Sequence, residues 1–321
     1  MSRLKVAVVY GGPSREHDVS VNSGQAMLKS LDGEQYEGTG VFIDHDEQWH
    51  INGLSLNQDE ALDNIKQNFD FVLLGLHGTF GEDGEIQGLL DARDITYGGS
   101  DAHASKLAMD KHRTSEIYAE ADMKIPKERV IKDRNTDATE GFSFPVVIKP
   151  ASQGSSFGVS IVADESEVAN ALDVAFKEDD TVLVQEYIKG REVSAGVVED
   201  ESGELMALPP TELIPVSANF FDYDAKYTPG ATKEITPPDL PDSVIGELQE
   251  IAARAHLELG CSGYSRTDMI IRGEEIFLIE TNTLPGMTGT SILPQQAAAA
   301  GISFSQLVHL IIQAGLRRKR V

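Results

Sequence analysis

The chain has 321 residues, 40% of them apolar and 25% charged, an ordinary globular balance with room for two or three domains and sizeable cores. Lys and Arg number 27 against 52 Asp and Glu, a net charge of −25, which argues against general nucleic-acid or anionic-membrane binding but leaves room for a nucleotide held by a few converging lysines. The single cysteine, Cys261, excludes an internal disulfide, and no apolar run reaches the roughly 18 residues of a membrane span, so a soluble cytoplasmic protein is expected.

Lys5 to Tyr10 is a short apolar run ending in Gly11-Gly12-Pro13, a pattern that predicts a buried strand entering a tight turn. Helical spacing follows from Val21 to Leu31. Strand, glycine turn and helix start form a common ligand-binding corner of α/β sheets, although G-x-G-x-x-G is absent. Glu16, His17 and Asp18 fall in that corner, where a carboxylate can hold an ammonium group or simply face solvent. Val41 to Ile43 and Phe69 to Leu76 predict further strands. The second runs into His77-Gly78-Thr79-Phe80-Gly81-Glu82-Asp83-Gly84, a loop composition that suits function. The alternation of strands and helices predicts a mostly parallel sheet over the first hundred or so residues.

Ser100 is the expected N-cap of a helix over Asp101 to Asp110, and a second helical run reaches about Ala121, with Lys111 between them. Pro145 to Pro150, PVVIKP, predicts a buried strand, and a lysine there is costly to bury without an anion. The loop Ala151 to Gly158, ASQGSSFG, can fold its N–H groups over phosphates, with Lys149 adding a point charge; it is not a Walker A sequence. A helix is expected over Glu165 to Lys177 and a strand over Thr181 to Ile188, after which a new sheet begins near Glu192. Phe220 to Gly230, FFDYDAKYTPG, has neither helical nor strand periodicity and reads as a surface loop or a lid. Asp242 to Leu259 predicts a helix closed by Gly260. Ser303-Phe304-Ser305-Gln306 looks like a capping box for the last helix, whose basic end complements its dipole.

Tyr264 to Ile292 holds the densest chemistry. Two apolar runs, Asp268 to Ile271 and Ile276 to Ile279, flank a polar turn at Gly273, which predicts a β-hairpin. It would bring Asp268, Glu280 and Asn282 together, three hard oxygen ligands that suit Mg²⁺. Arg266 and the turn Pro285-Gly286-Met287 lie at the same end. A metal, a fixed cation and free N–H groups at one point can stabilise a phosphoryl or acyl transition state.

Seven stretches together, GGPSREHDVSVNSG, LHGTFGEDGEIQG, MDKHRT, VVIKPASQGSSFGVS, FFDYDAKY, GYSRTDMI and LIETNTLPGMTGTSI, resemble the D-alanine–D-alanine ligases of the ATP-grasp superfamily. They occur in family order from Gly11 to Ile292. The resemblance implies a three-domain α/β ATP-grasp fold: an N-terminal parallel α/β substrate domain over 1–100, a central domain over 101–188 and a C-terminal domain over 189–321 bearing the metal and catalytic site. It implies ATP and two Mg²⁺ (or Mn²⁺) ions, two D-alanine substrates, a homodimer, and a D-alanyl phosphate intermediate on the way to the dipeptide used in peptidoglycan.

By that resemblance Glu16 holds the first ammonium, Val19 its methyl group, and His77 lies in the same subsite. Lys111 and Lys149 serve the ATP phosphates; Gln185, Glu186 and Ile188 form the adenine hinge; Glu192 takes the ribose hydroxyls; Phe220 lines the pocket. Lys226 reaches the γ-phosphate, and Tyr227 joins Glu16 and Ser155 in a triad that closes the lid. Asp268, Glu280 and Asn282 hold the metal ions, Arg266 and the Gly286 N–H stabilise the oxyanion, and Ser291 with Ile292 takes the second carboxylate. Three positions depart from the family pattern: Gln185 where glutamate is common, Leu284 before Pro-Gly, and Gly289-Thr290 beside the second-substrate subsite. The DAKY lid favours an amine acceptor over D-lactate. A D-lactate or D-serine ligase is the neighbouring enzyme reading, and a non-catalytic ATP-binding module is the alternative of a different class.

Overall fold

The structure is a computed structural model that describes residues 2–134, 137–216 and 231–318. Its first sheet contains β1 (Leu4–Gly11), β2 (Tyr36–Ile43), β3 (Trp49–Ile51), β4 (Leu54–Leu56) and β5 (Phe71–Leu74), in the order β4-β3-β2-β1-β5. β1 pairs in parallel with β2 and β5, whereas β2, β3 and β4 pair antiparallel. The expected parallel sheet is therefore the centre of a mixed one. The antiparallel edge turns at Asn52-Gly53, both with positive φ (+50° and +82°), the dipeptide that best suits a two-residue hairpin.

Helix α1 (His17–Ser30) lies against β1. An added Cβ at Gly24 would stand 2.3 Å from the Tyr10 side chain, so glycine sets how closely helix and strand approach. The helix starts four residues before the apolar spacing at Val21 begins, because its first turn is polar apart from Val19. Helix α2 (Gln58–Asn68) has no counterpart among the sequence expectations. A capping box specifies it, with the Asn57 side chain accepting from Glu60 N and the Glu60 carboxylate accepting from Asn57 N. Helix α3 (Glu85–Asp91) follows β5.

Helices α4 (Ala102–Met109) and α5 (Lys111–Glu120) meet at Asp110. The cap of α4 is Asp101, which accepts from Ala104 N at 2.8 Å, and not Ser100 as the sequence suggests. Ser100 Oγ instead accepts from Ser262 N at 3.2 Å. The second sheet, β6 (Glu128–Ile131), β7 (Val146–Pro150), β8 (Ser160–Val162) and β9 (Val182–Glu186), is antiparallel in the order β6-β9-β7-β8 and packs against α6 (Glu165–Ala175). The third contains β10 (Arg191–Glu199), β11 (Leu205–Ala207), β12 (Thr211–Pro215), β13 (Thr232–Ile235), β14 (Tyr264–Arg272) and β15 (Glu275–Asn282). Its order is β13-β12-β10-β14-β15, with β11 on β10, and α7 (Asp242–Glu258) packs on it.

Packing crosses the sequence order. Helices α8 (Ile292–Ala299) and α9 (Phe304–Arg317) bury Leu293, Leu307 and Ile311 in the same core as Val6, Val8 and Leu73 of the first sheet. Tyr118 of α5 and nearby Met123 join the core of the third sheet with Leu248, Ala252 and Leu278. The second sheet and α6 form a core of their own. The expected capping box opens α9, with Ser303 and Gln306 exchanging bonds. The basic end of α9 does more than answer its dipole: Arg317 donates to the Glu201 and Asp200 carbonyls, and Arg318 donates to Gly99 O and lies 4.1 Å over the Tyr97 ring. Among the described residues no single helix is long and apolar enough to cross a membrane.

Near the end of α7, His256 is buried and bonds Ser265 Oγ of β14 through Nδ1 at 2.8 Å. Burial pushes its imidazole down to about 4. The unfolded chain takes up this proton near pH 6.5 and the folded chain does not. The group's contribution is therefore complete above pH 6.5 and is lost as pH falls toward 4, about 3 kcal/mol in all. His256→Gln is expected to flatten the fall in melting temperature between pH 6.5 and 4, as followed by circular dichroism.

Candidate active site

The hairpin of β14 and β15 is the floor of the site. Along β14, Thr267 and Met269 are buried in the core, while Arg266, Asp268 and Ile270 are half-buried on the opposite, cleft face. Opposite them, Leu278 pairs with Met269 and so faces the core. Strict alternation would send Glu280 and Asn282 after it. They do not follow, because the register slips between Asp268 and Met269: Glu280 pairs with Asp268 and Asn282 with Arg266. The extra residue, Ile279, is a β-bulge, and it turns Glu280 and Asn282 onto the cleft face. The two-residue turn at the other end places Gly273 at φ +64°.

Two cavities meet at Glu280. A cleft of about 970 Å³ between the second and third sheets is lined by Lys111, Lys149, Gln185, Glu186, Ile188, Glu192, Asp268 and Glu280. A chamber of about 1470 Å³ beside the first sheet is lined by Glu16, Val19, His77, Ser155, Arg266, Glu280, Asn282, Gly286, Ser291 and Ile292. The structure thus brings together the described residues that the sequence singled out. Phe220, Lys226 and Tyr227 lie outside the described residues.

The cations of the floor are held by its carboxylates. Arg266 binds Asp268 through two bonds, Nε to Oδ1 at 3.1 Å and Nη2 to Oδ2 at 2.9 Å. Burial alone would lower the Arg266 pKa, but Asp268, and then Glu280 and Glu82, raise it, so the guanidinium stays charged. Ser194 Oγ also donates to Asp268 Oδ1, at 2.5 Å. Lys111 Nζ lies 3.2 Å from Glu280 Oε2 and donates to Gln153 O at 2.7 Å, while its backbone N–H donates to Ala151 O. Lys111 therefore links α5, the Gly/Ser loop and β15. Lys149 is buried on β7. Burial and then the Lys111 charge push its ammonium down to about 8, against the opposing pull of Glu280 and Glu128.

The loop over these lysines is strained where it turns inward. Ser155 and Ser156 adopt φ of +49° and +60°, unusual for residues with a Cβ. Ser155 Oγ donates to Glu16 Oε1, joining the loop to the cap of α1. Glu16 is also fixed by its own N–H, which donates to Ser14 Oγ at 3.1 Å. Behind it, His77 bonds Ser23 Oγ through Nε2 at 2.8 Å and Leu284 O through Nδ1 at 3.1 Å. Across the chamber, an added Cβ at Gly286 would stand 2.9 Å from Ser291 Oγ, and Ser291 Oγ accepts from Thr288 N at 3.0 Å. Ser291 makes no side-chain bond to the first turn of α8, which leaves N–H groups at that helix end for an anion.

Four further side chains line the chamber that sequence reasoning did not assign: Asn22, Glu82, Glu234 and Thr288. Burial raises the pKa of Glu82, against the His77 bond. Its neighbour Asp83 has a structural task, accepting from Phe80 N and Glu85 N. Asn22 sits three residues after Val19 on α1, a spacing that could have found it. Glu234 lies on β13 and accepts from Gln295 of α8, a pairing that spacing alone does not reveal. As a metal site, the floor offers two carboxylates and one amide, all hard oxygen donors that fit Mg²⁺ or Mn²⁺. Among the described residues no three His, Cys, Asp or Glu side chains are grouped to hold a metal ion by themselves, so the Asn282 amide is part of the donor set.

Comparison with known proteins agrees with this architecture. Residues 5–68 and 55–100 match the family model of the D-ala D-ala ligase N-terminus, and residues 119–313 match that of the D-ala D-ala ligase C-terminus. The D-alanine–D-alanine ligase of Syntrophobacter fumaroxidans is 40% identical over 319 residues, covering 98% of each chain. That of Citrifermentans bemidjiense is 41% identical over 315 residues, covering 98% of this chain and 97% of its own. Among solved structures, the Bacillus anthracis ligase complexed with ATP superposes with a TM-score of 0.82 at 32% identity, over 98% of both chains. The VanG D-Ala:D-Ser ligase of Enterococcus faecalis gives a TM-score of 0.85 at 31% identity, over 98% of this chain and 100% of its own. With the two-cavity site, the bulged floor and both halves of the chain matched, the chain belongs to the D-alanine–D-alanine ligase family, with the ATP-grasp fold.

Proposed function

We propose that this chain joins two D-alanines into D-alanyl-D-alanine at the expense of ATP, for cell-wall precursor synthesis. The single observation behind this reading is the meeting of a lysine-bearing cleft and an arginine-bearing chamber at Glu280. One cavity suits a triphosphate and the other two small zwitterions, and the reacting groups would meet at their junction. The three domains expected from the sequence, a cytoplasmic location and a homodimeric state belong to the same proposal.

Within it the side chains divide the work. Lys149 and Lys111 hold phosphate charge, and Glu192 with Gln185, Glu186 and Ile188 holds the nucleoside. Glu16, oriented by Ser155 and Ser14, accepts the first ammonium beside Val19 and His77. That leaves the first carboxylate free to attack the terminal phosphate and form an acyl phosphate. Arg266 and the Gly286 N–H face the carbonyl oxygen as it gains charge under attack by the second amine. Ser291, Ile292 and the N-terminal end of α8 hold the second carboxylate. Phe220, Lys226 and Tyr227 are assigned to the pocket wall, the γ-phosphate and the lid. Asp268, Glu280 and Asn282 would hold two divalent ions, which when bound neutralise phosphate oxygens. Both chemical steps gather negative charge, so the protein's task is positioning and electrostatic stabilisation.

Incubation with ATP, Mg²⁺ and D-alanine, with products identified by mass, is expected to yield the dipeptide with one phosphate released per bond. The likeness to a D-Ala:D-Ser ligase makes D-serine the competitor to include, and a mixed product as the main species would reassign the acceptor subsite. ATP bound without turnover in any mixture would leave a binding module.

Arg266→Ala is expected to lower turnover by about 10²–10³ or more, the usual cost of one oxyanion donor. Near-full turnover in that variant would remove Arg266 from the chemistry.

Lys149 gives the reading a pH signature. Its ammonium titrates near 8 in the free chain, and bound phosphates raise it toward its ordinary value of about 10.4. Binding of ATP above pH 8 therefore takes up a proton, and the dissociation constant should rise about tenfold per pH unit from there. Calorimetry in buffers of different ionisation enthalpy checks the uptake, which Lys149→Met should abolish.

A further inference from the structure

Beside Gln185 of the cleft stands a carboxylate that none of the roles above uses. Glu128 on β6 pairs directly opposite Gln185 on β9, and Gln185 in turn pairs with Val147 on β7, two residues from Lys149. Directly paired residues share a face of the sheet, so Glu128 and Gln185 stand side by side on the face that carries Val147 and Lys149 toward the cleft. Glu128 accepts three bonds. Ser115 Oγ donates to Oε2 at 3.0 Å, Gln185 Nε2 donates to the same oxygen at 3.2 Å, and His112 Nδ1 lies 2.8 Å from Oε1. Gln185 is buried, so its amide has few alternative partners.

A glutamine amide has a donor end and an acceptor end and can turn over to suit its surroundings. Here one orientation is penalised. With the amide reversed, Oε1 would face the Glu128 carboxylate, two acceptors with no proton between them in a buried site. The orientation that satisfies Glu128 spends the nitrogen on it and leaves Oε1 as the free acceptor at the base end of the cleft. An acceptor there suits the amino group at position 6 of adenine and opposes the carbonyl oxygen that hypoxanthine and guanine carry at that position.

We propose that Glu128 is a positioning residue for nucleotide choice: by fixing the Gln185 amide it makes the cleft select 6-amino purines over 6-oxo purines. The inference rests on the reading of this cleft as the nucleotide site. It also accounts for glutamine at 185, since a glutamate there would set two carboxylates side by side.

The test measures binding of ATP and ITP by calorimetry, alongside turnover with D-alanine. Glu128→Gln supplies a neighbour that can accept or donate, so both orientations of Gln185 become available. The ratio of ATP to ITP affinity is expected to fall about tenfold, with KM for ATP rising and kcat at saturating ATP unchanged. The double variant Glu128→Gln, Gln185→Glu restores a carboxylate acceptor beside a donating amide and is expected to recover the ratio. The backbone of the hinge is common to all three proteins, so the change in ratio isolates the side-chain amide. A ratio unchanged in the single variant, or not recovered in a double variant of unaltered melting temperature, overturns the proposal while leaving ligase activity in place. A chain that binds no ATP overturns both this proposal and the functional reading.

Discussion

One residue of excess length in β15 decides whether this protein has an active site. Up to Leu278 the strand points its even-numbered residues into the core, and an unbroken pleat would bury Glu280 and Asn282 among them. The bulge at Ile279 reverses the phase, so the strand serves the core in its first half and the cleft in its second. Without that reversal Glu280 would not meet Lys111, and Asp268 would face the cleft with Arg266 alone. The apolar half anchors the strand against α7, which lets the polar half present its side chains from a rigid support.

The charged groups of the site are held by neighbours, two of the cations in ion pairs. Arg266 is held by Asp268, Lys111 by Glu280, and Glu16 by a serine hydroxyl. Each pair keeps a charge in a partly buried place where it would be costly alone. On the function proposed above, the same pairs set the cations where phosphate charge would arrive and the carboxylates where metal ions would arrive. A chain of net charge −25 binds an anionic nucleotide only if its few inward cations are concentrated in this way. Lys149 is the exception: the neighbouring Lys111 adds to the effect of burial on it, and its ammonium is the one in the cleft most in need of an anion.

Much of this was legible in the sequence. The lysine of VVIKP, the ASQGSSFG loop, the hairpin around Gly273 and the Ser303 capping box stand where the pattern of residues put them. What escaped has identifiable causes. The bulge defeats alternation, because ordinary pleat counting assigns Glu280 to the core. Helix α2 is specified by Asn57 and Glu60 and not by an apolar stripe, so a search for hydrophobic spacing passes over it. Asp101 takes the cap expected of Ser100, since either residue suits the position and only the contact with Ser262 decides between them. Glu128 and Glu234 matter through partners on other strands and helices, and no local spacing encodes such pairings.

The distribution of the three cores dictates how the molecule can open. The last two helices complete the core of the first sheet, and Arg317 and Arg318 fasten the chain end to carbonyls on both the Asp200 turn and Gly99. The first and third sheets are thereby stitched into one frame. The second sheet keeps its apolar residues to itself and reaches that frame through polar threads such as Ser155 to Glu16 and Lys111 to Glu280. Separating the second sheet from that frame would break a few polar contacts and no shared hydrophobic core. A displacement of the second sheet relative to that frame would leave all three cores intact.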